Sequence, residues 1–141
     1  MTALPQSWQP GDVFSLETDP VTTQQLVRYA GASDDYHRIH YDAPFAEAAG
    51  LGGVIAHGML TLAFMGRAVS SAAGPSGFVE ALSGRFVSPV RPGDVVVVEG
   101  KVLDVRQEGG TRHIRADLTA RVADRPVAVG AAELRLPAAQ D

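Results

Sequence analysis

The chain has 141 residues, 45% hydrophobic, 20% charged and only 6% aromatic, with a formal net charge of −4. That length suits one ordinary domain spanning 1–141, which buries roughly two thirds of its unfolded surface. With 0 cysteines, disulfides, zinc–thiolate sites, iron–sulfur clusters and cysteine nucleophiles are excluded, and the acidic balance argues against a nucleic-acid partner. Residues 1–10 read as a weak leader with two prolines and no export signal. The most apolar stretch, 54–73, is interrupted by His57, Thr61, Arg67, Ser70 and Ser71, so no membrane span is expected and the cytoplasm is the expected location.

The elements follow in chain order. Residues 12–18 (DVFSLET) alternate apolar and polar, which predicts a short strand. After Asp19-Pro20, Thr22 or Thr23 can cap a helix that ends near Gly31. The next ten residues, SDDYHRIHYD, are polar and dense in ionisable groups. Pro44 opens a short helix closed by Gly50. A long helix is predicted over 56–73; being apolar nearly all round, it belongs inside the protein, and its many small residues allow a sheet to approach closely. From Phe78 onward four strands are predicted over 80–94, 95–108, 111–123 and 125–137, joined as an antiparallel meander. Gly109-Gly110 and Ala123-Asp124 supply turns, and His113 falls on a surface-facing strand position. The pattern predicts an α+β domain in which a curved sheet wraps one apolar helix.

Three of the 4 histidines, His37, His40 and His57, fall in a short stretch that also holds Asp34, Asp35 and Asp42. Asp35 and His40 lie in a segment too irregular for a good helix, so a loop can turn both toward one substrate atom as an acid–base pair. Gly58 follows at the start of the buried helix, where backbone N–H groups lack partners and a missing side chain admits an acyl oxygen. His57 reads first as a capping or core histidine. The spacing of Asp35, His37, His40 and His57 matches no specific metal motif, so no metal is expected. No phosphate-binding loop and no nucleophile elbow is present.

Residues 29–42 (YAGASDDYHRIHYD), Phe45-Ala46, the run IAHGML at 55–60, and RF with PVRPGD between 85 and 94 together resemble the MaoC-like family of (R)-specific enoyl-CoA hydratases and (3R)-hydroxyacyl-ACP dehydratases. The likeness is greatest to the catalytic subunit of two-subunit type II fatty-acid or polyketide dehydratases. It implies a hot-dog fold, Asp35 and His40 as the catalytic pair, and the Gly58 N–H on the thioester carbonyl, with His37, His57 and Tyr36 as possible supporting groups. It also implies an acyl-CoA or acyl-ACP substrate, no cofactor, and a homodimer or a heterodimer with a related subunit. Three positions depart from the pattern: Asp34 stands for a Gly, and His37-Arg38 for Asn-Pro. A hot-dog thioesterase and a non-catalytic partner subunit are the alternatives; thiol release separates the first, and retention of both Asp35 and His40 argues against the second.

Overall fold

The first alternating segment forms strand β1, Val13–Glu17, in the computed structural model, which describes residues 7–138. Phe14 turns inward, and Trp8 packs edge-on against it with ring centroids 5.7 Å apart. Trp8 is therefore a core residue, a correction to the leader expected over 1–10, whose first six residues lie outside the described range. Helix α1, Thr23–Ser33, is capped by Thr22, whose hydroxyl oxygen accepts the Gln25 N–H at 3.0 Å. It runs past the expected stop at Gly31 and ends where Asp34 adopts φ 57°. Aspartate is one of the few residues besides glycine that tolerate this left-handed conformation, which explains how it stands in for the Gly of the pattern.

A 3₁₀ turn, Arg38–His40, leads to helix α2, Ala43–Ala48. The cap of α2 is Asp42, whose Oδ1 accepts the Phe45 N–H at 3.2 Å. Helix α3 spans Gly58–Ala73, starting two residues later than expected and ending where expected. The amides before it are already committed: Ile55 N–H donates to the Ile39 carbonyl at 3.1 Å and Ala56 N–H to the Val90 carbonyl at 2.7 Å. These bonds keep the approach extended up to His57 (φ −60°, ψ 136°), the N-cap residue. Leu60, Thr61, Phe64, Met65, Ala68, Val69 and Ala72 recur at helical spacing and form its buried face. Each large apolar side chain so buried contributes roughly 1.5–3 kcal/mol.

Strands β2 (Phe78–Phe86), β3 (Val97–Glu108), β4 (Thr111–Val122) and β5 (Arg125–Pro137) join β1 in one antiparallel sheet of order β1-β3-β4-β5-β2. On β4, Ile114, Ala116, Leu118 and Ala120 are buried while Arg115, Asp117 and Arg121 face solvent. β2 stops at Phe86 and does not reach residue 94. Val87 and Ser88 both donate to the Val127 carbonyl, at 2.9 and 3.3 Å, and the chain then leaves the sheet through Pro89 and Pro92, which have no N–H to give a ladder. β2 pairs with β5 at the sheet edge, so the expected meander holds only for β3–β5. α3 packs against all five strands, the hot-dog arrangement. Among the described residues no helix is long and apolar enough to cross a membrane.

Candidate active site

The polar segment after α1 is folded by its own side chains. Asp35 Oδ1 accepts the His37 N–H at 3.2 Å. His37 in turn caps the 3₁₀ turn: its Nδ1 accepts the Ile39 N–H at 3.3 Å. A side-chain amide oxygen of Asn makes the same short-range bond, so His37 fills locally the position where the family pattern carries Asn. Arg38 donates from Nε and Nη2 to Asp42 Oδ2 at 2.9 and 2.7 Å and lies 4.4 Å over the Phe45 ring. That bond, and then the Phe45 N–H, hold the Asp42 carboxyl below the ordinary aspartate range. The Tyr41 hydroxyl donates to the Tyr36 carbonyl at 2.9 Å. The Tyr36 ring is largely exposed, so what the loop uses of this residue is its main chain.

His40 is buried, and its Nδ1 lies 2.7 Å from the Ile55 carbonyl. A carbonyl only accepts, so Nδ1 carries the proton, and in the neutral ring the lone pair is on Nε2. Nε2 faces Asp35 Oδ2 at 3.8 Å, while the Asp35 side chain remains half exposed. The gap exceeds a direct hydrogen bond, yet a third atom about 2.8 Å from each can be held by both. His40 is held below the ordinary histidine pKa, first by burial and then by the neighbouring His57; the Ile55 carbonyl and Asp35 pull the other way. The imidazole is therefore biased toward its neutral, proton-accepting form.

His57 stacks on His40 with ring centroids 3.6 Å apart and planes 19° from parallel. Its Nε2–H donates to the Asp35 main-chain carbonyl at 3.1 Å, and Tyr29 covers it from α1 at 4.9 Å. Asp35, His40 and His57 each offer a donor atom within 4.8 Å of the others. A metal bound by imidazole lies in the ring plane at about 2.0–2.1 Å from nitrogen. Two stacked, nearly parallel rings have no such point in common, so these histidines do not converge on one ion.

Gly58 is the first residue of α3, where N–H groups have no intrahelical acceptor. The Phe86 ring lies against it, and a Cβ here would meet Phe86 Cδ2 at 2.6 Å. The structure thus brings Asp35, His40 and His57 into contact, puts Gly58 directly after His57 at the helix start, and leaves the Tyr36 ring aside. His113 stands apart on the outer face of β4, 3.5 Å from Glu80.

Residues 6–123 match the MaoC like domain. The chain belongs to this family. The MaoC-like chain is 36% identical over 93 residues to the peroxisomal enoyl-CoA hydratase 2 of Arabidopsis thaliana, covering 64% of this chain but only 29% of that protein. R-hydratase PhaJ1 of Pseudomonas aeruginosa superposes with a TM-score of 0.79 at 26% identity, over 93% of this chain and 83% of that one. The ChsH1–ChsH2 complex of Mycobacterium tuberculosis shares the fold, with a TM-score of 0.78 at 23% identity over 96% and 99% of the two chains.

Sequence reasoning missed the Ile55 and Asp35 carbonyls and the Phe86 ring on Gly58. A main-chain acceptor has no residue-type signature. The close approach at Gly58 had one partial signal, a glycine at a helix start.

Proposed function

We propose that this MaoC-like chain is an acyl-thioester hydro-lyase: a (3R)-hydroxyacyl thioester dehydratase and (R)-specific enoyl thioester hydratase. The observation that carries the reading is His40, fixed by Ile55 with its Nε2 turned to Asp35 across 3.8 Å. In hydration the pair holds one water. His40 Nε2 takes a proton as the water oxygen bonds to C3, and the electrons of the double bond move toward the thioester oxygen. The Gly58 N–H stabilises that developing charge. The pair then returns a proton to C2, which completes the addition of one water with nothing left over. Dehydration runs the same steps in reverse, and the thioester supplies the activation without a cofactor.

The likeness to an enoyl-CoA hydratase and an R-hydratase supports this class. The thioester is carried on CoA or on acyl-carrier protein in fatty-acid or polyketide metabolism. Assembly with a second hot-dog chain, identical or related, belongs to the same proposal: β2 is an edge strand, and the likeness in fold extends to a two-component complex. The test is a panel of C4 to C16 enoyl and (3R)-hydroxyacyl thioesters on both carriers, read by enoyl absorbance and in parallel by thiol release. Change in enoyl absorbance that is lost in Asp35→Asn and His40→Ala supports the reading. Thiol release without it would make the chain a thioesterase.

A further inference from the structure

The acid–base chemistry above uses Asp35 and His40 and leaves His57 without a part. His57 is nonetheless 2% exposed, and its Nδ1 is buried with no hydrogen-bond partner among the described residues. It caps α3 by backbone conformation alone, without a side-chain cap bond, so capping does not account for an imidazole here. An aliphatic side chain would fill the space without leaving a buried nitrogen unsatisfied, an arrangement that is destabilising in itself. Two contacts set this ring apart. Its Nε2–H reaches back 22 residues to the Asp35 carbonyl at 3.1 Å. Its face lies on His40 at 3.6 Å, nearly parallel.

We propose that His57 is the positioning residue of the pair: its Nε2–H fixes the main chain of Asp35 while its ring face fixes the plane of His40. One buried side chain then sets the separation between carboxylate and base, which their own side chains do not bridge directly. The loop needs this tie. Asp35 is half exposed, and its carboxylate accepts the His37 N–H from within the same loop, which ties it to nothing rigid. His57 anchors the carboxylate-bearing residue to the start of α3, the element buried against the whole sheet. The other titratable groups around the two rings are Asp35 and His37 from the loop and Tyr29 from α1. The inference rests on Asp35 and His40 being the reacting pair.

Two variants separate the contacts, with crotonyl-CoA hydration as the assay. His57→Gln keeps an N–H for the Asp35 carbonyl and loses the ring face. His57→Phe keeps a ring face and loses the donor. Each is expected to lower kcat roughly ten- to a hundredfold, the cost of a small misplacement of reacting groups, with KM near the parent value. The acid-side midpoint of kcat/KM moves to higher pH in both variants, since each removes the neighbouring imidazole that helps hold His40 down, and moves further in His57→Gln, where water also reaches His40. Parental kcat and pH profile in both variants, with only thermal stability reduced, would overturn the inference and leave His57 a packing residue. Should either variant fail to fold, nitrogen-15 shifts of the unaltered protein decide: His57 is expected as the Nε2–H tautomer, and an Nδ1–H tautomer overturns the proposal. If Asp35→Asn and His40→Ala are inactive while the His57 variants match the parent, this inference alone fails. If Asp35→Asn and His40→Ala are themselves active, the proposed function fails.

Discussion

The sheet with its central helix and the loop that carries Asp35 and His40 are built on opposite rules. In β4 every second side chain from Ile114 to Ala120 is apolar and buried, and the backbone pairs with β3 and β5 along its length. In the loop, polar side chains do the folding, by bonding to main-chain atoms: Asp35 to His37 N–H, His37 to Ile39 N–H, His40 to the Ile55 carbonyl, and His57 to the Asp35 carbonyl. The first region loses little from any one polar contact and much from a lost core side chain. The second has little apolar volume to lose, yet each of its bonds sets the direction of a neighbour. Stability and reactivity should therefore come apart under mutation.

The largest effect expected lies in the loop. Asp35→Asn and His40→Ala should each lower turnover by roughly 10²–10⁴, the usual worth of a positioned acid or base. For Asp35→Asn the melting temperature should stay near the parent value, because that side chain is half exposed. Since burial holds His40 below the ordinary histidine pKa, its neutral form persists as pH falls. The parent should keep activity below about pH 6.5, and a rate already halved at that pH would contradict His40 as the base.

The core answers in the other currency. Met65 is fully buried on α3, so Met65→Ala should cost about 2–5 kcal/mol in denaturant unfolding while the folded fraction keeps its kcat. A kcat loss in Met65→Ala larger than its loss of folded protein would mean that core and site are coupled after all.

How much of this was legible in the sequence follows the same division. The β4 strand and the buried face of α3 are written as periods of two and of 3.6, because water sorts side chains by face. The edge position of β2 was not legible, since pairing with β5 is a long-range choice and the local run 80–94 looks continuous. Asp35, His40 and Gly58 were legible as residue types in order. The stacking of His57 on His40 was not, for it depends on Ile55 and Ala56 being held by Ile39 and Val90. Trp8 was misread because an apolar residue without a periodic neighbour gives no face to assign.

Gly58 stands where the two regions meet. Gly58→Ala puts a methyl against the Phe86 ring, but that ring is half exposed and can turn away. The fold should survive and kcat/KM should fall roughly tenfold, because the methyl also occupies the approach to the N–H. Adding Phe86→Leu relieves the crowding. A deficit that persists in the double variant places the effect at the thioester oxygen, and full recovery would reduce Gly58 to a packing glycine.

The smallest effect concerns His37, and it probes whether the loop depends on bonds or on residue identity. Its Nδ1 accepts the Ile39 N–H, a bond the side-chain oxygen of Asn can also make. His37→Asn should therefore leave kcat close to parental, whereas His37→Ala removes the acceptor at the start of the turn that carries His40. A lost cap is worth about 1 kcal/mol, so His37→Ala should cost a few-fold in kcat through looser placement of His40. Equal losses in both variants would give the ring a part in the chemistry beyond holding the turn. No loss in either would mean that the bonds from Asp35 and Ile55 already suffice to fix the loop.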